Sequence, residues 1–501
     1  MHFDVKIERL NSSKIRLHLD DAGLLEDIYQ FFKYEEPTFQ KNRFTKWDGV
    51  VRLFNKTNQT LPYGLLQILL VFLKDRQHTY HVPDDIKSDI SNLKQKDFES
   101  WVSELNLTRS NGDKLTPHDF QLEGAYLAIK YGRITLLAAT SAGKSLILYL
   151  MSRYFQEYKV AEGSFGKTLI IVPNILLVSQ LKTNFEEFSL KNGWNASEHI
   201  HLIAEGAERV SRKPIFISTW QSLQNMPAEY FEIFSEIFVD ECHLASGKSI
   251  TQICEASVNA NVRIGLTGTL KNTALHPLAV QGNFGPIKRV VRTKELQDRG
   301  IAAKTQVTRI ILRYPSDQRI LVSEMSYQEE IDFLINHSGR NNVIKALCRT
   351  LKGNSLVLFS RKDKHQLIIE ESLLALKDES RKYLVINGDV SGDDRRAITA
   401  LMDKETGITL LGSYVTMQAG VSINNLHNLV FGHPSKSVIQ ILQSIGRMLR
   451  LHSSKEVAHI YDIVDDLAYR GNQNKTLSHA DIRMGYYEEE QHPVKDRYFD
   501  I

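Results

Sequence analysis

Three cysteines in 501 residues, at positions 242, 254 and 348, are too few and too unevenly spaced for a disulfide framework or a cysteine zinc site. A reducing cytoplasm is the expected compartment. Long apolar runs are also missing: the longest, residues 61–73, is interrupted by Gln67 and is too short to span a bilayer. The opening MHFDVKIER lacks the charged-then-apolar order of a secretion signal. A soluble chain with no membrane partner is therefore expected. Strong charge is absent as well. Lys and Arg total 62 against 59 Asp and Glu, a net charge of +3, so any nucleic-acid surface has to be local. A hydrophobic share of 42% is that of a globular protein, and the length allows about two to four domains.

What is present is organised around residues 134–148, ITLLAATSAGKSLIL. Residues 135–138 have the unbroken apolar character of a strand buried on both faces, while Leu146, Ile147 and Leu150 fit a helix face. Between them, Thr140, Ser141, Ala142, Gly143, Lys144 and Ser145 suit a phosphate cradle. Small residues let backbone N–H groups curl round a β-phosphate at a helix N-terminus, Lys144 reaches the β/γ oxygens, and Ser145 ligates Mg²⁺. Ala138 stands where the strict pattern asks for glycine, so the segment alone also reads as an ordinary strand-turn-helix.

Residues 1–83 read as a small α/β domain that precedes the ATPase rather than lying within it. Phe3, Val5 and Ile7 alternate, as do Ile15 and Leu17, and Leu24, Leu25, Ile28, Phe31 and Phe32 fall at helical spacing. In residues 39–54, Arg43, Lys46 and Arg52 interleave with aromatic residues that include Trp47. Cations neutralise phosphates and aromatic faces stack on bases, so this stretch is a candidate DNA contact; a hairpin with Trp47 in the core is the alternative. Residues 84–112 read as a connector.

A series of buried-type strands follows: 168–172, 215–218, 237–239 and 263–266. Each ends in a polar cluster, the arrangement of a doubly wound parallel sheet with its ligands at the strand C-terminal ends. The most specific cluster is Asp240-Glu241-Cys242-His243. One carboxylate holds the Mg²⁺ shell, and the other orients and deprotonates the attacking water. Residues 301–325 read as a second connector. Candidate strands at 355–359, 383–386, 409–411, 429–431 and 459–464 form a second α/β series without a second phosphate cradle, so one nucleotide would serve both sheets. Its strongest feature is the spacing of Gln443, Arg447 and Arg450 on one helix face, which suits neutralisation of γ-phosphate charge.

Taken in order, these clusters resemble the motif series of superfamily 2 helicases of the DExH type, and among them the phage recombination helicases. The resemblance implies two RecA-like motor domains, at 113–300 and, with a C-terminal extension, at 326–501. It implies an ATP- and Mg²⁺-dependent DNA helicase or translocase on branched, duplex and single-stranded DNA. Fork regression, junction migration and unwinding of displacement loops or RNA–DNA hybrids are the family activities, in recombination, repair and replication. It makes Phe120, Gln121 and Gly420 nucleotide contacts, assigns coupling to His243, Thr267 and Thr269, and makes Asn174, Thr219, Ser360, Arg361 and Ser413 grip a DNA backbone. Ser422 stands where many relatives carry Asp. An RNA helicase, or an ATP-gated DNA clamp that does not unwind, are the alternatives.

Overall fold

The computed structural model describes residues 3–36, 47–87, 91–162, 166–203, 208–243, 247–270, 276–360, 362–375, 381–418, 423–434, 445–446 and 448–501. It divides into two compact units, Met1–Val291 and Arg292–Ile501. The first unit begins with β1 (Val5–Arg9) and β2 (Lys14–His18), an antiparallel pair that turns Val5, Ile7, Ile15 and Leu17 inward. A ribbon of β3 (Lys33–Glu35) and β4 (Val50–Arg52) comes next, then β5 (Thr60–Pro62) and β6 (Tyr80–His81). The sheet order is β5-β2-β1-β6. Helices Ala22–Phe31, capped by Asp21, and Leu66–Asp75 bury Leu24, Ile28, Leu69, Phe72 and Leu73 against it.

This small sheet is not separate from the first motor domain, although residues 1–83 were expected to be. The turn between β1 and β2 plugs into the motor: buried Arg263 donates to Ser12 Oγ at 2.9 Å and Ser13 Oγ at 2.8 Å, and Ser13 Oγ donates to Cys254 O at 2.8 Å. Tyr34 stacks on His276 with ring centroids 4.2 Å apart. Gly64 lies so close to helix Pro277–Phe284 that a Cβ there would sit 2.1 Å from Gln281 O. Only glycine permits that approach.

The motor sheet comprises β7 (Arg133–Ala138), β8 (Lys167–Val172), β9 (Ile200–Ile203), β10 (Ile215–Thr219), β11 (Phe234–Val239), β12 (Val262–Thr267) and β13 (Ile287–Val291). Its order is β13-β7-β12-β11-β8-β10-β9, every pair parallel. The expected connector 84–112 belongs to this core. Helix Gln95–Glu104 buries Phe98 and Val102, and with Leu105 and Leu107 they pack against Ala125, Ile129 and Ile147.

The second unit holds β14 (Lys304–Arg313), β15 (Ser355–Phe359), β16 (Lys382–Ile386), β17 (Ile408–Ser413), β18 (Asn428–Phe431), β19 (Val457–Asp466) and β20 (Val494–Asp500). These form a parallel sheet of order β16-β17-β15-β18-β19-β14-β20. The expected connector 301–325 is corrected here, because β14 is an inner strand whose Val307, Ile310, Ile311 and Leu312 are buried. The second unit accordingly starts at Arg292 and not at residue 326. Buried carboxylates tie β19 to its surroundings: Arg483 and Tyr487 donate to Asp462, and Arg340 and Tyr314 donate to Asp465. No described helix is long and apolar enough to cross a membrane.

Candidate active site

β7, buried from Ile134 onward, delivers the chain into residues 139–143, and helix Lys144–Glu162 leaves it. Ser141 and Gly143 adopt left-handed backbone, with φ of 73° and 76°. Gly143 is doubly required, since a Cβ there would lie 2.3 Å from Gln121 Nε2. The loop is braced from outside by Gln121, whose Nε2 donates to Ala142 O at 2.8 Å while its Oε1 accepts from His118 N at 2.9 Å. Both ends of that amide are engaged, so its geometry supports the cradle itself. Phe120 is buried, and its ring stacks on His118.

β11 carries Asp240 and Glu241 to the same sheet edge. Asp240 N donates to Ile171 O at 2.9 Å, and Asp240 Oδ1 accepts from Glu241 N at 3.0 Å. Glu241 has φ 47°, a left-handed backbone that is rare outside glycine and turns its side chain to a local partner. Lys144 Nζ lies 2.7 Å from Glu241 Oε1. Burial alone would pull the Lys144 ammonium down, but Glu241 and Asp240 outweigh it and hold it above its ordinary value. Burial would raise Glu241, yet Lys144 above all holds it below the usual range. Lys144 acts on Asp240 too but is outweighed there. Burial, and then the adjacent Glu241 charge, push it up to about 6.

The Glu241 carboxylate also connects to β12. Gly268 N donates to Glu241 Oε2 at 3.4 Å, and His243 Nδ1 is 2.5 Å from Thr267 Oγ1 and 3.4 Å from Glu241 Oε2. Burial lowers His243 to about 4, so the ring is neutral and its approach to Glu241 is not an ion pair. Thr267 Oγ1 donates to Thr269 O at 2.7 Å, which leaves it to accept from His243 and places that proton on Nδ1. A continuous chain thus runs from Lys144 through Glu241 and His243 to Thr267 and Thr269.

Hard oxygen donors from Ser145 and Asp240, with phosphate oxygens and water, are the donor set Mg²⁺ prefers. Among the described residues no group of three or more His, Cys, Asp or Glu side chains is arranged to hold an ion alone. Because Asp240 titrates near 6, its ability to take a cation is present above that value and is lost as pH falls through it. The Mg²⁺ concentration needed for half-maximal ATPase should rise by about tenfold for each pH unit below that point. A Mg²⁺ requirement that did not change on going from about pH 7 to about pH 5 would remove Asp240 from the ion's shell.

The remaining expected residues divide into three groups. Asn174, Thr219 and Ser413 lie at strand C-terminal ends as expected, and each caps a following helix: Asn174 accepts from Leu177 N, Thr219 from Ser222 N, and Ser413 from Thr416 N. Ser360 is exposed immediately after β15. Trp47 is 45% exposed, which excludes the core-hairpin alternative, and its indole donates to Val50 O. Arg52 forms an ion pair with Asp48, so its charge is partly neutralised locally. Arg450 is half-buried in the second unit. Arg43, Lys46, Arg361, Gly420, Gln443 and Arg447 lie outside the described residues. One positioning contact has no sequence signal. Buried Lys455 donates to Met448 O at 2.9 Å and Asn424 O at 3.1 Å, fixing the turn that carries Arg450.

Residues 101–272 match the type III restriction enzyme res subunit family, and residues 339–452 match the helicase conserved C-terminal domain. The ATP-dependent DNA helicase UvsW of Enterobacteria phage T4 is 31% identical over 483 residues, spanning 94% of this chain and 93% of its own length. The crystal structure of T4 UvsW superposes with a TM-score of 0.52 at 29% identity, covering 99% of both chains. A fragment of a putative HsdR subunit of a type I restriction enzyme from Vibrio vulnificus shares the fold, with a TM-score of 0.57 at 16% identity over 95% of this chain and 96% of that one. With a phosphate-cradle lysine held against the acidic pair at the edge of a parallel sheet, and a near-full-length relative at 31% identity, the chain belongs to the UvsW group of superfamily 2 helicases and is an ATP-dependent DNA helicase.

Proposed function

We propose that the chain works on branched DNA, regressing forks, migrating junctions and unwinding displacement loops or RNA–DNA hybrids during recombination and repair. The observation that carries this reading is the likeness to T4 UvsW through the N-terminal region as well as the motors, with that region built into the first unit. In this reading Lys144 holds the β/γ-phosphates, Ser145 and Asp240 hold Mg²⁺, and Glu241 prepares the water. Mg²⁺, when bound, neutralises phosphate charge. Phe120, Gln121 and residues 140–143 form the nucleotide's cradle, with Gly420 as a further contact. Gln443, Arg447 and Arg450 supply charge to the transition state. Through His243, Thr267 and Thr269 the state of Glu241 reaches β12, whose C-terminal end lies on the same sheet edge as the caps Asn174 and Thr219. Those caps, with Ser360, Arg361 and Ser413, hold one DNA backbone through hydroxyls, amides and helix N-termini, without reading sequence. Arg43, Lys46, Trp47 and Arg52 add the branch contact.

ATPase measured in parallel with single-stranded DNA, duplex, a four-way junction and RNA tests this reading. The junction should stimulate most, and the effect should weaken steeply with salt. Stimulation by RNA alone would replace it with the RNA-helicase reading, and ATP binding without turnover on any polymer would favour the clamp.

A further inference from the structure

The first unit contains a cavity of about 560 Å³ where the N-terminal sheet meets the motor. Tyr63, Gln67 and Ile86 line one side, and Leu127, Tyr131, Arg133, Ile134, Asn261 and Lys288 line the other. It opens at the start of β7, whereas the phosphate cradle lies beyond that strand's end. Six residues at about 3.3 Å each put the two sites roughly 20 Å apart on opposite edges of the sheet.

The lining has a consistent chemistry. It contains two cations, Arg133 and Lys288, and no acid; Asp84 and Asp85 share a short helix with Ile86 but do not line the cavity. The Arg133 guanidinium lies 4.3 Å from the Tyr63 ring centroid and donates to Ser12 O, so it is fixed at the back. Lys288 at the mouth is exposed and has no acidic partner among the described residues. Tyr131, 42% exposed, lines the same cavity, with Lys130 Nζ 5.8 Å from its ring centroid. Asn261 accepts from Arg9 at 2.6 Å and keeps its NH₂ group as a donor, and the exposed Gln67 amide makes no hydrogen bond among the described residues. Apolar walls, a part-exposed aromatic ring, amide donors and acceptors, and the exposed Lys288 ammonium together fit a planar heterocycle bearing a phosphate. Gln67 and Pro286 continue into a shallow groove of about 280 Å³, where Phe31 is 41% exposed and Arg76 stacks 3.9 Å from the Phe72 ring centroid; Asp75 is its one acid.

We propose that this cavity is a second nucleotide-binding site, which takes one nucleotide, from a DNA strand or free, by stacking its base on Tyr131 and pairing its phosphate with Lys288. The site does not depend on the assignment of the ATPase residues.

The test is photocrosslinking of the full-length protein, with Mg²⁺ and saturating ADP to fill the phosphate cradle. The probes are thiothymidine monophosphate, a short oligothymidylate carrying one thiothymidine, and unphosphorylated thiothymidine. Adducts are expected on peptides containing Tyr131 or Lys288, with little labelling by the nucleoside. Labelling should fall by about tenfold in both Lys288→Glu and Tyr131→Ala, exposed positions where circular dichroism should report an unchanged fold and ATPase should persist. Labelling here by the monophosphate identifies a free nucleotide as the source, and labelling by the oligomer alone identifies a strand; either supports the site. Adducts found only elsewhere, or labelling equal to the parent's in both variants, would overturn it.

Discussion

Replacing Glu241 by Gln should leave ATP binding intact or tighter while hydrolysis falls by about 10²–10⁴-fold, the range usual for loss of a general base. The asymmetry comes from the ion pair between Lys144 Nζ and Glu241 Oε1 at 2.7 Å. Lys144 is neutralised by the residue proposed to prepare water, so a phosphate has to compete for it. A glutamine amide competes less well than a carboxylate, and the lysine becomes easier to recruit. Lys144→Ala should do the reverse, losing tight binding together with turnover and leaving Glu241 buried without its counter-charge. Equilibrium binding of a fluorescent ATP analogue beside single-turnover hydrolysis separates the two variants. Parental hydrolysis by Glu241→Gln in the presence of DNA would refute the assignment.

The second large effect concerns the N-terminal region. A chain beginning at residue 84 should be largely insoluble and without DNA-stimulated ATPase, because the loss removes the Ser12 and Ser13 partners of buried Arg263, leaving it only Ala260 O and Ser257 O, and uncovers His276, Leu278 and Val280. Each hydrogen bond from a charged group contributes about 1.5–3 kcal/mol, so a buried guanidinium deprived of two adds to the cost of the uncovered apolar surface. A milder change grades the effect. Ser12→Ala with Ser13→Ala should lower the melting temperature measurably in the folded protein while leaving ATP binding unchanged. A soluble truncated chain with parental turnover would mean that the seam is dispensable and the region a true accessory domain.

The site was largely legible in the chain because its signals are local. A strand buried on both faces that ends in Thr140–Ser145, and another that ends in Asp240-Glu241, announce themselves by composition and order. Asn174, Thr219 and Ser413 were placed correctly at strand ends, though capping, which is invisible without backbone geometry, explains their hydroxyls and amide as well as DNA would. What escaped had no periodic signature. β14 reads KTQVTRIILR, with polar residues breaking the apolar run, and β20 reads VKDRYFD, six of whose seven residues are exposed. The seam formed by Ser12, Ser13, Gly64 and Arg263 consists of small or polar residues whose importance lies in contacts distant in sequence, and no window of neighbours reveals it.

The inner position of β14 sets the order in which the protein can be built. Lys304 pairs with Val457 on one side and Val307 with Val494 on the other, so the strand waits through most of the second unit's synthesis for both neighbours. Pairings so remote close slowly, and the half-made sheet exposes Val307, Ile310 and Leu312 meanwhile. The first unit's β7 waits likewise for β12 and β13, but all of that unit's strands precede Arg292. On the ribosome every strand of the first unit is therefore available while the half that carries Arg450 is still an unpaired nascent chain, so the risk of aggregation lasts longest in the second half.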